Sequence, residues 1–219
     1  MNDTRPRDTA RLATAVGAIA IGSAACLGAF FAVGGPFGSI NDIGNATVGV
    51  LSATLAWRLR RHIAGRAGDL AVGAAAVGAA ITVVGSALVV SGSTGWFLAG
   101  LVSSVGYAGI GAWLLVLNRS TAVADTWPPR LRSLGVLAGG LMALGVVAVP
   151  GILLGLDDMA TAPGWVWIAL LSWLGIFPVY PAWAVWLGIV QSRRSRRALA
   201  SGLGGRWTEG EEARSWTGG

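Results

Sequence analysis

The side chains able to do chemistry are few, and they stand within apolar stretches. Asn41, Asn45 and Ser52 recur at i, i+4 and i+11, which places them on one face of a helix. That face must turn inward, because an unpaired amide in hydrocarbon is costly. Asp42 stands beside them. An ionisable group at membrane depth marks a functional site, whereas a carboxylate just ahead of a helix is an N-cap acceptor favoured by the helix dipole. A helix that starts at Ile43 makes Asp42 a loop or capping carboxylate; one that starts at Phe37 carries Asp42 at the membrane boundary. The first is the expectation.

A second polar patch, Ser103, Ser104 and Tyr107, lies in the fourth apolar segment. In the sixth, Pro178 and Pro181 bracket Tyr180, and Pro150-Gly151 interrupts the fifth. Proline removes a backbone donor and clashes with the preceding turn, so kinks are expected at Pro150, Pro178 and Pro181. Broken helices free carbonyls that can bind ions or substrates. Asn41, Asp42, Asn45, Tyr107 and Tyr180 are therefore a candidate polar site between the second, fourth and sixth segments. Hydrogen bonds between helices account for the same residues without any ligand.

Enzymatic chemistry finds little footing. His62 is the one histidine and lies among arginines; Cys26 is the one cysteine. A disulfide within the chain and a zinc site built from several cysteines are both excluded. There is no P-loop, no dinucleotide-binding glycine fingerprint and no His-Glu-x-x-His motif. No catalytic, cofactor-binding or metal-ligating residue is identified, no cofactor is expected, and the reading is non-enzymatic.

The elements that hold these residues follow from composition. Of 219 residues, 54% are hydrophobic and 12% charged, about half the charge of a soluble domain, with 34 glycines besides. Disorder is excluded for most of the chain. Six apolar segments stand out, at 12–34, 43–57, 70–90, 96–117, 134–156 and 165–190. Five reach the roughly 20 residues a membrane helix needs, and the second does so only by including 37–42. The fold class is thus an all-α integral membrane protein, a six-helix bundle within 12–190, between a cytoplasmic segment 1–11 and a tail 191–219.

All 16 basic residues are arginine. With the N-terminus inside, every one falls on the cytoplasmic side, and the outer loops hold only Asp42, Asp157 and Asp158. The positive-inside rule then puts both termini in the cytoplasm. A charge of +6 and a pI near 11.2 thereby become a topology signal, and no nucleic-acid partner is expected. Arg193, Arg194, Arg196 and Arg197 open a tail read as largely unstructured, where they can contact anionic lipid. An Arg-rich start followed by an apolar run imitates a signal peptide, but Leu27 to Gly34 stays apolar past any cleavage point, so the first segment reads as an uncleaved span.

Trp96, Trp165 and Trp167 are expected at the outer interface and Trp57, Trp183 and Trp186 at the inner one. Trp173 falls mid-span. Rows of small residues, Thr14-Ala18-Gly22-Cys26, Ala74-Gly78-Thr82-Ser86, Gly100-Ser104-Ala108-Ala112 and Gly135-Gly139-Ala143, are expected to be helix contacts. Ala56-Trp57, Ala112-Trp113 and Ala182-Trp183 hint at a repeated hairpin. The wealth of Ala, Gly and Arg without Lys resembles proteins of GC-rich bacterial genomes, which implies a bacterial inner (plasma) membrane. The leading expectation is a scaffold, sensor or accessory membrane subunit, with lipid and a membrane-protein partner or second copy as its contacts. The alternative is a small permease or channel using the polar site.

Overall fold

The structure is a computed structural model that describes residues 5–196; Arg197 and the rest of the tail lie outside the described residues. Six long helical segments follow one another: α1 (Arg5–Val33), α2 (Phe37–Leu59), α3 (Gly65–Val90), α4 (Trp96–Arg119), α5 (Pro129–Leu153) and α6 (Val166–Arg196). No strand occurs among the described residues. All but α2 are long and apolar enough to cross a membrane. At 23 residues α2 is about 35 Å long, but Asn41, Asp42 and Asn45 interrupt its apolar run. A helical membrane bundle accounts for this pattern, since in lipid the backbone must bond to itself.

The apolar segments understate the helices. α1 and α2 are separated by Gly34, Gly35 and Pro36 alone, with both glycines at positive φ (69° and 74°). Glycine adopts that conformation at no steric cost and ends α1, while Pro36 precedes α2 without needing a backbone donor. Asp42 therefore lies in the second turn of α2. The expected loop or cap role is not what it has, because the helix starts six residues before Ile43.

Neighbours in sequence pack as antiparallel neighbours in space, and α4 lies at the centre, touching α2, α3, α5 and α6. The ring closes where Gly17 of α1 meets Val185 of α6, and Gly188 of α6 meets Thr14. Two of the small-residue rows form helix contacts. Gly78 of α3 abuts Gly106 and Gly109 of α4, and Gly139 of α5 abuts Gly111 of α4. The α4 row makes contacts as well, toward α5 and α6, whereas the α1 row does so only at Thr14. On α1, Ala18 and Gly22 are exposed, and Ala13, Val16, Ala20 and Ser23 are buried instead. On α4, Gly106 and Gly109 face α3, while Gly100 faces Trp173 and Ser104 faces Gly145. Small residues crowd all sides of these helices, so their spacing alone did not single out the buried face.

α5 and α6 are irregular at the same level. α5 tightens to a 3₁₀ turn at Leu144–Ala148 just before Pro150. α6 breaks at Leu171 and widens to a π turn, Gly175–Val179, that contains Pro178. Pro181 adds no second irregularity, because regular helix runs over 180–196. Gly175 at the start of the π turn packs directly on Leu141 and Met142, in the regular turn of α5 just before its 3₁₀ stretch.

At one end of the bundle the described arginines gather. Arg58 pairs with Asp8 at 3.8 Å and Arg60 with Asp69 at 2.5 Å. Just above them, Trp113 and Trp183 are fully buried and meet edge to face at 6.1 Å. Trp183 is thus not an interfacial anchor: its ring stacks on Tyr180 at 5.9 Å and its N–H donates to Asn118 Oδ1 at 3.3 Å. Trp57 is exposed, so the three Ala-Trp pairs share no common environment.

Candidate functional site

At the end opposite the arginines, α1, α2, α4 and α6 enclose a cavity of about 170 Å³. α2 supplies its polar wall with Asn41, Asp42 and Asn45; α4 supplies Ser103, Ser104 and Tyr107. Phe30, Trp96, Trp173 and Phe177 form the aromatic walls, and Gly35, Gly38 and Ser39 form the mouth. Four of the five candidate polar residues thereby meet at one cavity. Tyr180 lies below its floor rather than on its wall: it is fully buried and shares a 2.7 Å hydrogen bond with Ser52.

The helical face of α2 explains the arrangement. Asn41 and Asn45 sit one turn apart and both are buried. Ser23 of α1 reaches between them, with its hydroxyl 2.8 Å from Asn41 O, 3.0 Å from Asn41 Oδ1 and 3.3 Å from Asn45 Oδ1. One hydroxyl proton serves one acceptor well, and of the three in reach the Asn41 backbone carbonyl is the nearest. On the opposite side Tyr107 donates its hydroxyl to the Asn45 carbonyl at 3.2 Å, tying α4 to α2.

Asp42 is half-buried and its one described bond is a long one, 3.4 Å from Asn41 Nδ2. The other two carboxylates at this end are engaged. Asp157 accepts from Gly95 N at 2.6 Å and Leu98 N at 3.1 Å, so it caps α4 from the loop after α5. Asp158 caps the short turn that follows it, accepting from Ala160 N.

The irregular backbone of α6 places the remaining wall. Trp173 precedes the π turn and donates its indole N–H to Ser104 Oγ at 3.1 Å, and Ser104 donates in turn to Gly100 O at 2.8 Å. Ile176 and Phe177 belong to the π turn itself. Non-helical backbone at such depth is tolerated where it lines a cavity or is buried in protein, and π turns recur at functional sites. Below the cavity the path closes on Tyr107, Ser52, Tyr180, Trp183 and Trp113, all fully buried.

Sequence reasoning found the α2 face and the α4 patch but missed Ser23, Phe30 and Phe177, which carry no signal beyond being in a span. It missed the capping role of Asp157 as well. His62 lies elsewhere, beneath the Arg-rich end, with its ring 6.0 Å from Trp127. Burial, then the charges of Arg61 and Arg194, hold its pKa below the usual range of 6.5. Arg193, Arg194 and Arg196 continue α6 at that same end. No group of three or more His, Cys, Asp or Glu side chains suited to a metal occurs among the described residues. No family model, no curated protein and no solved structure matches this chain.

Proposed function

We propose that the chain is a six-span, non-enzymatic protein of a bacterial plasma membrane, with both termini in the cytoplasm, that takes up a small solute as a permease. The cavity between α2, α4 and α6 carries the proposal: polar groups from separate helices converge there, open at one end and closed by aromatic packing at the other. A pocket that is mostly apolar with a few converging polar groups is the usual form of a small-molecule site. Its floor, between the π turn and the Arg-rich end, is the layer that must open for the solute to pass. The segregation of Arg from the mouth of the cavity supports an outward-facing mouth. The cavity wall has one carboxylate and no histidine, cysteine or second acid beside it, which supports binding rather than acid–base catalysis. Nothing comparable supports a scaffold role, since the exposed apolar side chains along the bundle suit lipid as well as they suit a partner.

Cysteine accessibility tests orientation and site together. In a Cys26→Ala background, Ser93→Cys, Ala160→Cys and Ser103→Cys should react with a membrane-impermeant maleimide in intact cells, while Ala200→Cys and the seam position Ser86→Cys should not. Labelling of residue 200 from outside overturns the orientation. A Ser103→Cys variant that folds but resists labelling removes the open cavity on which the permease reading stands.

A further inference from the structure

The chemical class of the solute can be read from the charge and the walls of the cavity. Asp42 is the one carboxylate that lines it, and among the described residues it has no cationic partner. The two ion pairs described, Arg58–Asp8 and Arg60–Asp69, lie at the far end of the bundle. Asp157 and Asp158 at the near end serve as caps. Asp42 does neither: it lies past the first turn of α2, where no free backbone N–H is left to cap, and it holds only the long contact with Asn41. A carboxylate kept half-buried among apolar side chains is costly unless a positive charge meets it.

The rest of the wall matches such a charge. Phe30, Trp96, Trp173 and Phe177 present aromatic rings, whose negative faces attract cations, most strongly where water is excluded. Trp173 is held in place by its bond to Ser104, and Trp96 by edge contacts with Phe31 at 5.7 Å and Phe97 at 5.6 Å. The side-chain oxygens that line it come from α2 (Ser39, Asn41, Asp42 and Asn45) and α4 (Ser103, Ser104 and Tyr107), whereas α1 and α6 contribute only aromatic and aliphatic side chains. A bare metal ion needs oxygen on every side, whereas an ammonium ion with an apolar body needs one acidic side and one aromatic side. A cavity of about 150 Å³ holds benzene, so about 170 Å³ accommodates a molecule of roughly six to eight non-hydrogen atoms.

We propose that the cavity binds a small organic ammonium ion, with Asp42 as its counter-ion and Trp96, Trp173, Phe30 and Phe177 as the cage around its alkyl groups. This rests on the solute-binding reading of the same cavity.

The test uses the full-length protein in nanodiscs and two probes of equal shape, choline and its uncharged isostere 3,3-dimethylbutan-1-ol, with intrinsic tryptophan fluorescence and calorimetry as readouts. Choline should bind at least tenfold more tightly than the alcohol. Asp42→Asn should remove that preference and leave alcohol binding unchanged, Asp42→Glu should keep the preference, and Trp173→Leu should weaken choline several-fold. Size-exclusion profiles and melting temperatures establish that each variant is folded. If both probes bind equally, and Asp42→Asn changes neither while Ser103→Trp blocks both, the cavity reading stands and the cation inference falls. If neither probe binds at tens of millimolar, both fall. Binding of Na⁺ alone that excludes choline and depends on Asp42 would also overturn the organic-cation assignment.

Discussion

Toward the Arg-rich end, Trp113, Trp183, Leu114 and Leu117 are fully buried between the helices; toward the opposite end the same helices leave a cavity of about 170 Å³. Both regions draw on glycine, small hydroxyl residues and tryptophan. They differ in what each glycine faces and in how regular the opposing helix is. Gly78 faces Gly106 and Gly109, and Gly111 faces Gly139, so regular helices close to backbone contact. Gly100 instead faces the Trp173 ring on a segment wound into a break and a π turn. There the neighbouring helix is held off and space remains. Small residues thus make a seam where they meet backbone, as Gly145 also does against Ser104, and a wall where they meet an aromatic ring.

The sharpest way to break this comparison is to empty the filled half. Trp183→Ala removes a fully buried indole and should lower stability by about 3–5 kcal/mol, read as the melting temperature of the detergent-solubilised protein. Trp173→Ala, which enlarges a space already open, should cost clearly less. Equal losses would mean that the two halves are not packed differently.

Overpacking the seam comes next. Gly78→Leu drives a side chain into the α4 backbone at Gly106 and should cost about 3 kcal/mol. Gly28→Leu, where nothing lies within 4 Å, should stay within about 0.5 kcal/mol. At the cavity end, Asp157→Ala should cost about 1 kcal/mol by uncapping α4, and it should loosen the mouth so that Ser103→Cys labels faster.

The smallest effect is one of pH at the other end. His62 in the folded protein is held below the 6.5 at which it titrates when unfolded, mainly by burial. The stability contributed by its neutral ring is therefore present above pH 6.5 and is lost as pH falls through the lower folded value. The melting temperature should decline from pH 7 to 5, with a smaller decline in His62→Gln; parallel curves for the two proteins would remove this account.

Much of the architecture was legible because membrane helices are specified locally. Runs of apolar residues, the placement of arginine and the spacing of Asn41, Asn45 and Ser52 are all readable along the chain, and each reflects a requirement a helix must meet by itself in lipid. The start of α2 was not, since Gly34, Gly35 and Pro36 act through backbone conformation rather than hydropathy. That misplacement is what made Asp42 look like a cap. Trp183 was assigned to the interface by its position in the sequence, whereas its contacts with Trp113 and Tyr180 set it in the core.

By itself, then, the sequence determined the environment, the helical class and which polar residues had to turn inward, because burial of backbone and charge in hydrocarbon is a demand on each segment separately. Only the tertiary structure decided which of those residues meet. Ser23 with Asn41, Tyr107 with Asn45, and Ser52 with Tyr180 128 residues away are pairings between helices. They depend on rotation and crossing set by glycine contacts and by the π turn of α6. Those same settings leave Asp42 at an aromatic-walled cavity without a cationic partner among the described residues.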